Sequence, residues 1–254
     1  MHSSGLRTIR TEQERFTDAL LTLATYARVQ ETRGHDVGDR LKAMKHVFVP
    51  AHSLFSKRMR AFNLSFHRYT HGPFTREVYE AWEELTIAGF LAVSEDPRGP
   101  VTVTGDGIAF ARYFMGEVLS RPRNQGILHE IEASVDATAS LSTRQLLDRV
   151  YATRAVPVGW QDRVPIAEIP AGVYLTKIIE PYEAAAAVDI PAQWHRRFHI
   201  AYLKGIASIF GEDTPAFDGL TIDELEQLDK ALELEERDVL EEVDLGEIKS
   251  RYGI

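Results

Sequence analysis

Apolar residues recur at three- to four-residue intervals along much of the chain, and this period predicts amphipathic helices. The first helix is expected over residues 11–30, with Thr11 or Thr8 available to cap its amino terminus. Its apolar positions fall on one side, which predicts a helix packed against a core. Those positions are Phe16, Leu20, Leu23, Ala24 and Ala27.

The next segments carry the same period in shorter runs. A helix is expected to begin at Asp39 and to stop at Pro50, because the residue before a proline disfavours helical geometry. Residues 51–61 are interpreted as a further short helix, and residues 63–69 as a strand. The inward positions of the helix that starts at Asp39 are predicted to be Leu41, Met44, Val47 and Phe48.

The stretch of residues 64–112 predicts half of a winged-helix fold. Gly72-Pro73 breaks the chain after the strand, and Gly89 stands where a left-handed helix end is expected. The expected elements that follow the break are a helix capped by Thr75, two β-prone runs at residues 90–94 and 101–104, and a second helix that begins at Thr104. The inward candidates of that second helix are Ile108, Ala109, Tyr113 and Val118.

The remaining sequence is predominantly helical. Helices are predicted over residues 127–137, from Ser142 onward, and in one or two pieces over residues 171–210 with a break near Pro191. The alanine run of residues 184–187 belongs to this helical region. Residues 155–171 contain three prolines and are expected to be extended. The tail, residues 220–252, is expected to form a helix pair in which Thr221 and Glu224 make a capping box.

These elements together predict a mainly α fold with a small β wing. We expect a winged-helix-like domain over residues 1–155 and a helical C-terminal region over residues 156–254 that ends in an acidic amphipathic tail. At 254 residues the chain is long enough to build a sizeable core.

The winged-helix stretch also resembles a known family. Residues 69–75 read Tyr-Thr-His-Gly-Pro-Phe-Thr, and the helix that follows closes on residues 85–91, Leu-Thr-Ile-Ala-Gly-Phe-Leu. This arrangement resembles the core of the Panacea domain, which occurs in SocA-like antitoxins and in phage-associated proteins. Residues 39–48 and 142–152 are similar to earlier and later helices of that family, so the resemblance covers roughly residues 12–155.

The resemblance implies a function in a toxin–antitoxin system. Panacea-domain antitoxins bind and neutralise protein toxins, and SocA-like members act as adaptors that hand a toxin to a protease. The sequence contributes an aromatic and cationic group around the Gly-Pro break that suits a protein interface. The predicted partner-binding residues are Tyr69, His71, Phe74, Arg76 and Tyr79. A homo-oligomer is an additional option.

Composition narrows the class of protein. The chain is 44% apolar and 26% charged, contains no cysteine, and has no run of about 18 apolar residues of the kind that spans a membrane. The first ten residues lack an apolar signal core, so we expect a cytoplasmic protein without a membrane partner. The absence of cysteine excludes disulfides, zinc–thiolate sites and cysteine nucleophiles.

Charge is distributed unevenly. The net charge is -9, yet residues 40–76 contain no Asp or Glu, whereas acids dominate residues 212–247. A basic cluster in a winged helix gives the alternative function, a DNA-binding transcriptional regulator. Its expected nucleic-acid contacts are Lys57, Arg58, Arg60 and Arg68. Against this, the candidate recognition helix carries Glu77, Glu80, Glu83 and Glu84, which would repel phosphates.

Catalytic chemistry finds little support in the sequence. The chain has no phosphate-binding loop, no nucleophile elbow and no His-Glu-x-x-His helix, so we expect no enzyme and no cofactor. His195 and His199 lie four residues apart and could share a metal on one helix face. The neighbouring Arg196 and Arg197 would repel a cation, and a metal-dependent enzyme is therefore the weakest of the three interpretations.

Overall fold

The computed structural model describes residues 10–178 and 183–210, and beyond these residues 221, 223–224, 226–227 and 230. It is mainly helical with small sheets, which confirms the predicted fold class at that level. The chain divides into two compact units, Met1–Pro191 and Ala192–Ile254, so the expected domain boundary at residue 155 falls inside the first unit.

Helices and short strands have the following bounds in the described part of the chain. The helices are α1 (Glu12–Arg33), α2 (Arg40–Ser56), α3 (Glu77–Ile87), α4 (Gly105–Phe114), α5 (Gln125–Asp136), α6 (Thr143–Ala152) and α7 (Ala192–Phe210). The strands are β1 (Gly38–Asp39), β2 (Met59–Arg60), β3 (His67–Tyr69), β4 (Gly72–Phe74), β5 (Leu91–Val93), β6 (Pro100–Val103), β7 (Arg154–Ala155), β8 (Val164–Pro165) and β9 (Ala186–Ala187). A π-helical turn, Met115–Leu119, continues α4, and a 3₁₀ turn spans Ile166–Glu168.

Helix α1 is the centre of the first unit. Thr11 and Glu14 form a capping box at its start, which confirms Thr11 as the cap. Every residue from Phe16 to Ala27 is buried, because α2, α3, α4 and α5 all pack against this helix. The prediction that only one side of α1 is buried is therefore wrong for this stretch, where all sides of the helix are covered. A chain of bonds ties three helices together here: the Trp82 indole donates to the Tyr26 hydroxyl, which donates to the Ala43 carbonyl.

Helix α2 corrects two predictions. Asp39 caps it as expected, accepting from the Lys42 amide at 2.7 Å, but the helix continues through Pro50 to Ser56. No separate helix covers residues 51–61. Pro50 removes one backbone bond, the one to the His46 carbonyl. The helix survives this loss because both its halves are buried against α1, α5 and α6.

The predicted wing lies in a three-stranded sheet of order β1-β6-β5, with both strand pairs antiparallel. The strands predicted at residues 90–94 and 101–104 are confirmed as β5 and β6. Gly89 has φ +77 and ends α3, and Thr104 caps α4 by accepting from the Gly107 amide. The predicted cap of α3 is off by one residue: the N-cap is Arg76, which makes no side-chain cap bond, although the Thr75 hydroxyl accepts from the Glu77 amide just beside it.

The inward face of α4 was predicted incorrectly in part. Val118 is buried and Ile108 is half-buried, but Ala109 and Tyr113 are exposed. Ala111 and Phe114 are the buried positions instead. The π-helical turn that follows α4 adds a residue to the helical period, so one regular stripe cannot fit both Val118 and the residues before the turn.

The C-terminal half of the first unit mixes correct and incorrect expectations. Helix α5 matches the predicted one, and Ser142 begins α6 with a capping box to Gln145. Residues 155–171 contain no α-helix, but the expectation of an extended connection is only partly correct. Strands β7 and β8 pair as an antiparallel hairpin, a turn lies between them at residues 158–159, and the 3₁₀ turn follows. The alanine run of residues 184–187 is not helical: Ala186 and Ala187 pair in parallel with β2. Helical propensity yields here to a tertiary contact that the local sequence does not encode.

The second unit is described through α7 and a few later residues. Trp194 and Phe198 are fully buried side chains of α7, which begins just after Pro191 as predicted. The capping box of Thr221 and Glu224 is confirmed by reciprocal bonds between them. Residues 223–224, 226–227 and 230 are helical, and the other residues of the acidic tail after Thr221, including the predicted second helix of the pair, lie outside the described residues.

Candidate protein-binding surface

The hairpin of β3 and β4 brings five rings together at the surface of the first unit. His67, Tyr69 and Phe74 come from the hairpin, Tyr79 from α3, and Tyr174 from the extended segment before Lys177; we call these five residues the ring surface. Centroid distances are 6.1 Å for Tyr174–His67, 5.6 Å for His67–Phe74 and 5.9 Å for Phe74–Tyr79. Tyr69 lies beside this row, 5.5 Å from Phe74.

The ring surface is unusually exposed for aromatic residues. Tyr69 is 53% exposed, and Tyr79 and Tyr174 are each 37% exposed. Large exposed apolar side chains elsewhere in the described part of the chain are few. Two of them, Val156 and Trp160, lie on the loop whose Val158 amide donates to the Tyr174 carbonyl at 2.9 Å. Clustered exposed aromatic rings of this kind mark a binding surface more often than a scatter of single ones.

Side chains from two helices fix the turn of the hairpin from beneath. The Lys45 ammonium, on α2, donates to the Pro73 carbonyl at 2.6 Å, and the Tyr151 hydroxyl, on α6, donates to the Thr70 carbonyl at 3.2 Å. Gly72 has φ +88, and a Cβ there would lie 3.6 Å from Lys45 and 3.7 Å from Tyr151. The turn itself is residues 70–71, and Gly72 begins β4 with a positive φ that a side chain would strain, while Pro73 places its carbonyl at Lys45.

Lys45 sits in an unusual electrostatic environment. It is 2% exposed, and burial together with the charge of Arg68 lowers its pKa from 10.5 to about 7. The bond to Pro73 is made to a neutral carbonyl, which stabilises an ammonium less than a carboxylate does. The hairpin is consequently fastened to α2 by a lysine whose charge is costly to bury.

Both backbone edges of the hairpin are occupied. On the β3 side, the Arg68 amide donates to the Val173 carbonyl at 2.8 Å, and the Gly172 amide donates to the Arg68 carbonyl at 2.7 Å. On the β4 side, Pro73 has no amide hydrogen and its carbonyl is taken by Lys45. A partner cannot extend this sheet by strand addition, so it must contact the rings themselves.

The carboxylates of α3 point largely inward. Glu80 pairs with Arg10, Glu84 is buried and lies 3.7 Å from Arg15, and Glu77 accepts from the Ser65 amide. The expectation that four acids line the outer face of the helix is therefore wrong for Glu77 and Glu84, whereas Glu83 is exposed and the Glu80 side chain is 45% exposed. Burial raises the pKa of Glu84 above its ordinary value, against the opposing effect of Arg15.

Arg10 anchors this acidic group to α1. Its guanidinium bonds to the Asp18 carboxylate at 2.7 Å, and the same carboxylate accepts from the Asn63 amide at 2.6 Å. Asp18 is completely buried, and burial raises its pKa to about 7 in spite of Arg10 and Asn63. This cluster is a structural junction between α1, α3 and the segment before β3.

The predicted nucleic-acid residues do not form an open cationic patch. Lys57 is paired with Glu130, and Arg60 bonds to Glu14 at 3.0 Å. The Arg68 guanidinium lies 4.9 Å from the Tyr151 ring centroid and its Nε donates to the Ile166 carbonyl at 3.3 Å. Arg58 is exposed and has φ 57, a backbone conformation unusual for arginine.

Of the predicted partner-binding residues, the structure brings Tyr69, Phe74 and Tyr79 into contact and leaves His71 and Arg76 exposed nearby in sequence. Tyr69, Phe74 and Tyr79 are ring-surface members, His71 is exposed in the turn, and Arg76 is the exposed N-cap residue of α3. Sequence reasoning missed Tyr174, which meets His67 from far along the chain. It also missed Lys45 and Tyr151, whose roles depend on helix packing rather than on any local motif.

Comparisons with protein-family models, with curated proteins and with solved structures find no match to this chain. In the described part of the chain, no group of three or more His, Asp or Glu side chains is placed to hold a metal ion. Among the same residues, no helix is both long and apolar enough to cross a bilayer.

Proposed function

We propose that this chain is a non-enzymatic protein-binding module that acts as a cytoplasmic antitoxin, binding and neutralising a protein toxin through the ring surface. The observation that carries the proposal is the exposed row of Tyr174, His67, Phe74 and Tyr79, with Tyr69 beside it. Tyrosine-rich, rigidly held surfaces supply large contact area at low entropic cost. The toxin as partner, and delivery of that toxin to a protease, rest on the Panacea resemblance.

The rigidity of the hairpin supports this role. Lys45 and Tyr151 fix its turn, and residues 172–175 fix its outer edge, so the rings are presented in one arrangement before any partner arrives. Preorganisation reduces the entropy lost on binding, which raises affinity without new contacts. A flexible loop with the same residues would bind more weakly.

Co-purification tests the proposal. The tagged chain is expressed together with its flanking genes. We expect it to co-purify with a stoichiometric protein that is toxic when expressed alone and harmless when expressed with this chain. Tyr69→Ala should weaken that complex at least about tenfold, the effect of losing about 1.4 kcal/mol. Tyr113→Ala is the matched control, since Tyr113 is equally exposed at 50% but lies on α4. Equal losses in both variants, or no toxic partner, would sink the proposal.

A DNA-binding regulator is the second candidate. One observation favours it: helix α3 is followed directly by a sheet of order β1-β6-β5, an arrangement typical of winged helices. The charges argue against it, because Lys57 and Arg60 are engaged by carboxylates and the tip between β5 and β6 carries Arg98 beside Glu95 and Asp96.

Fluorescence anisotropy with double-stranded DNA at low and at physiological salt separates the two candidates. The DNA-binding function requires an affinity that falls steeply with salt and that is lost when Lys57, Arg58 and Arg60 are reversed in charge. The protein-binding function predicts no measurable affinity at physiological salt.

A further inference from the structure

Cations flank the ring surface at both contributing segments. The acids next to it lie on α3, where Glu80 pairs with Arg10 and Glu83, one turn beyond Tyr79, is exposed. The two contributing segments, residues 66–79 and 172–178, contain Arg68, Arg76 and Lys177 and a single acid, Glu77. The Glu77 carboxylate is already engaged by the Ser65 amide and by the Thr75 hydroxyl. The chain as a whole has a net charge of -9, which is enough to keep it soluble, so solubility does not explain the positive charge at this face.

The two cations that can meet a partner lie at different parts of the surface. Arg76 is exposed at the start of α3, one turn before Tyr79. Lys177 lies with its Nζ 4.2 Å from the centroid of the Tyr174 ring, so its charge stands at the far end of the row. Arg68 is turned toward Tyr151 instead. A segment lying along the row therefore meets a cation near each end.

The conformation of such a segment follows from the closed edges of the hairpin. Because no backbone donors or acceptors are offered for strand addition, the segment must satisfy its own backbone without pairing to β3 or β4. A polyproline-II chain does this, since its carbonyls stay open to water and to tyrosine hydroxyls. Each ring-to-ring step, 5.6 to 6.1 Å, is close to the length of two polyproline-II residues at ~3.1 Å per residue.

We infer that the ring surface binds an acidic, proline-containing extended segment of the partner protein, with prolines stacked on Tyr69, Phe74 and Tyr174 and carboxylates at Arg76 and Lys177. This inference rests on the proposed function and specifies its partner. Charge pairs at the rim set selectivity and association rate, and the stacked rings supply the apolar contact.

Labelled synthetic peptides test the inference on the full chain by fluorescence anisotropy at low salt. A peptide alternating glutamate and proline is expected to bind at least about tenfold tighter than one alternating lysine and proline, and tighter by a similar factor than one alternating glutamate and glycine. Equal binding of the lysine peptide removes the charge argument, and equal binding of the glycine peptide removes the stacking argument. Absence of binding by all three overturns the inference.

Variants separate this inference from the proposed function. The double variant Arg76→Glu and Lys177→Glu should lose the glutamate–proline peptide, whereas Arg98→Glu, an exposed charge reversal between β5 and β6, should keep it. The same variants are then assayed against the co-purified partner. If Tyr69→Ala releases that partner while the double variant retains it, the proposed function stands and the acidic segment is overturned. If Tyr69→Ala retains the partner, the proposed function itself fails.

Discussion

Lys45 offers the sharpest quantitative test of how the hairpin is held. In the folded chain burial lowers its pKa from 10.5 to about 7, whereas the unfolded chain restores the ordinary value. Between these two values the unfolded state binds more protons than the folded state, so the free energy of unfolding must rise with pH in that window. Each pKa unit is worth about 1.4 kcal/mol, which gives a gain of about 3 kcal/mol between pH 7 and about pH 9.5.

Lys45→Met removes the titration while keeping an unbranched side chain of similar length. The variant also leaves the Pro73 carbonyl without its donor, at a cost of about 1–3 kcal/mol. At pH 7 this loss is offset because no ammonium has to be buried, so the variant should be as stable as the wild type or more stable. Near pH 9.5 the folded wild-type amine is neutral and keeps its bond, but neutralising it on folding still costs about 1.4 kcal/mol, because the unfolded-state pKa of 10.5 lies one unit higher. The variant should therefore lose its advantage at this pH and be less stable by up to about 1.5 kcal/mol.

Urea unfolding at the two pH values measures the difference directly. Ser142→Ala serves as the control, because it removes a helix cap and no titratable group and should cost about 1 kcal/mol at both pH values. If the wild type and Lys45→Met gain stability in parallel as the pH rises, the reasoning about the buried ammonium is refuted.

Two further predictions concern the fold. Gly89→Ala should lower the free energy of unfolding in urea by about 1 kcal/mol, because φ +77 strains a side chain even though no atom lies within 4 Å of the added Cβ. Gly105→Ala is the control, since that site is equally uncrowded and has no positive φ, and it should be neutral or stabilising. Similar losses at both sites would contradict the strain argument. Burial lowers the pKa of His52 to about 4, so the folded state binds fewer protons than the unfolded one below pH 6.5 and stability should fall on acidification. His52→Gln should reduce that acid sensitivity, and an unchanged pH profile would exclude His52 as its source.

The elements that the sequence predicted well are those set by neighbouring residues. Thr11 and Ser142 each find their partner three residues away, and Gly89 ends α3 whatever lies beyond it. The strands of the wing follow from a turn-rich tip between two β-prone runs. Caps, turns and short hairpins of this kind are determined by residues close together in the sequence, so they can be predicted from a single sequence.

The elements that it missed depend on distant packing. Pro50 remains within α2 because helices on several sides bury it, and Ala186 and Ala187 become a strand because β2 offers them an edge. The candidate site shows the same division. Tyr69, Phe74 and Tyr79 were suggested by their places beside the Gly-Pro break, whereas Tyr174 and Lys45 join them only after the chain has folded back on itself.

The pairing of β3 with residues 172–175 has a consequence for synthesis of the chain. A nascent chain that ends before Gly172 contains α1 to α6 and the hairpin but lacks the segment that pairs with β3, so the β3 edge is open to another strand. The same stretch of the chain supplies three further features: the Tyr174 ring, the Tyr174 carbonyl that accepts from the Val158 amide, and the Lys177 ammonium. All three are synthesised after the hairpin and α6. The ring surface is therefore complete only when this segment has left the ribosome, and until then the β3 edge must be kept from misassembly.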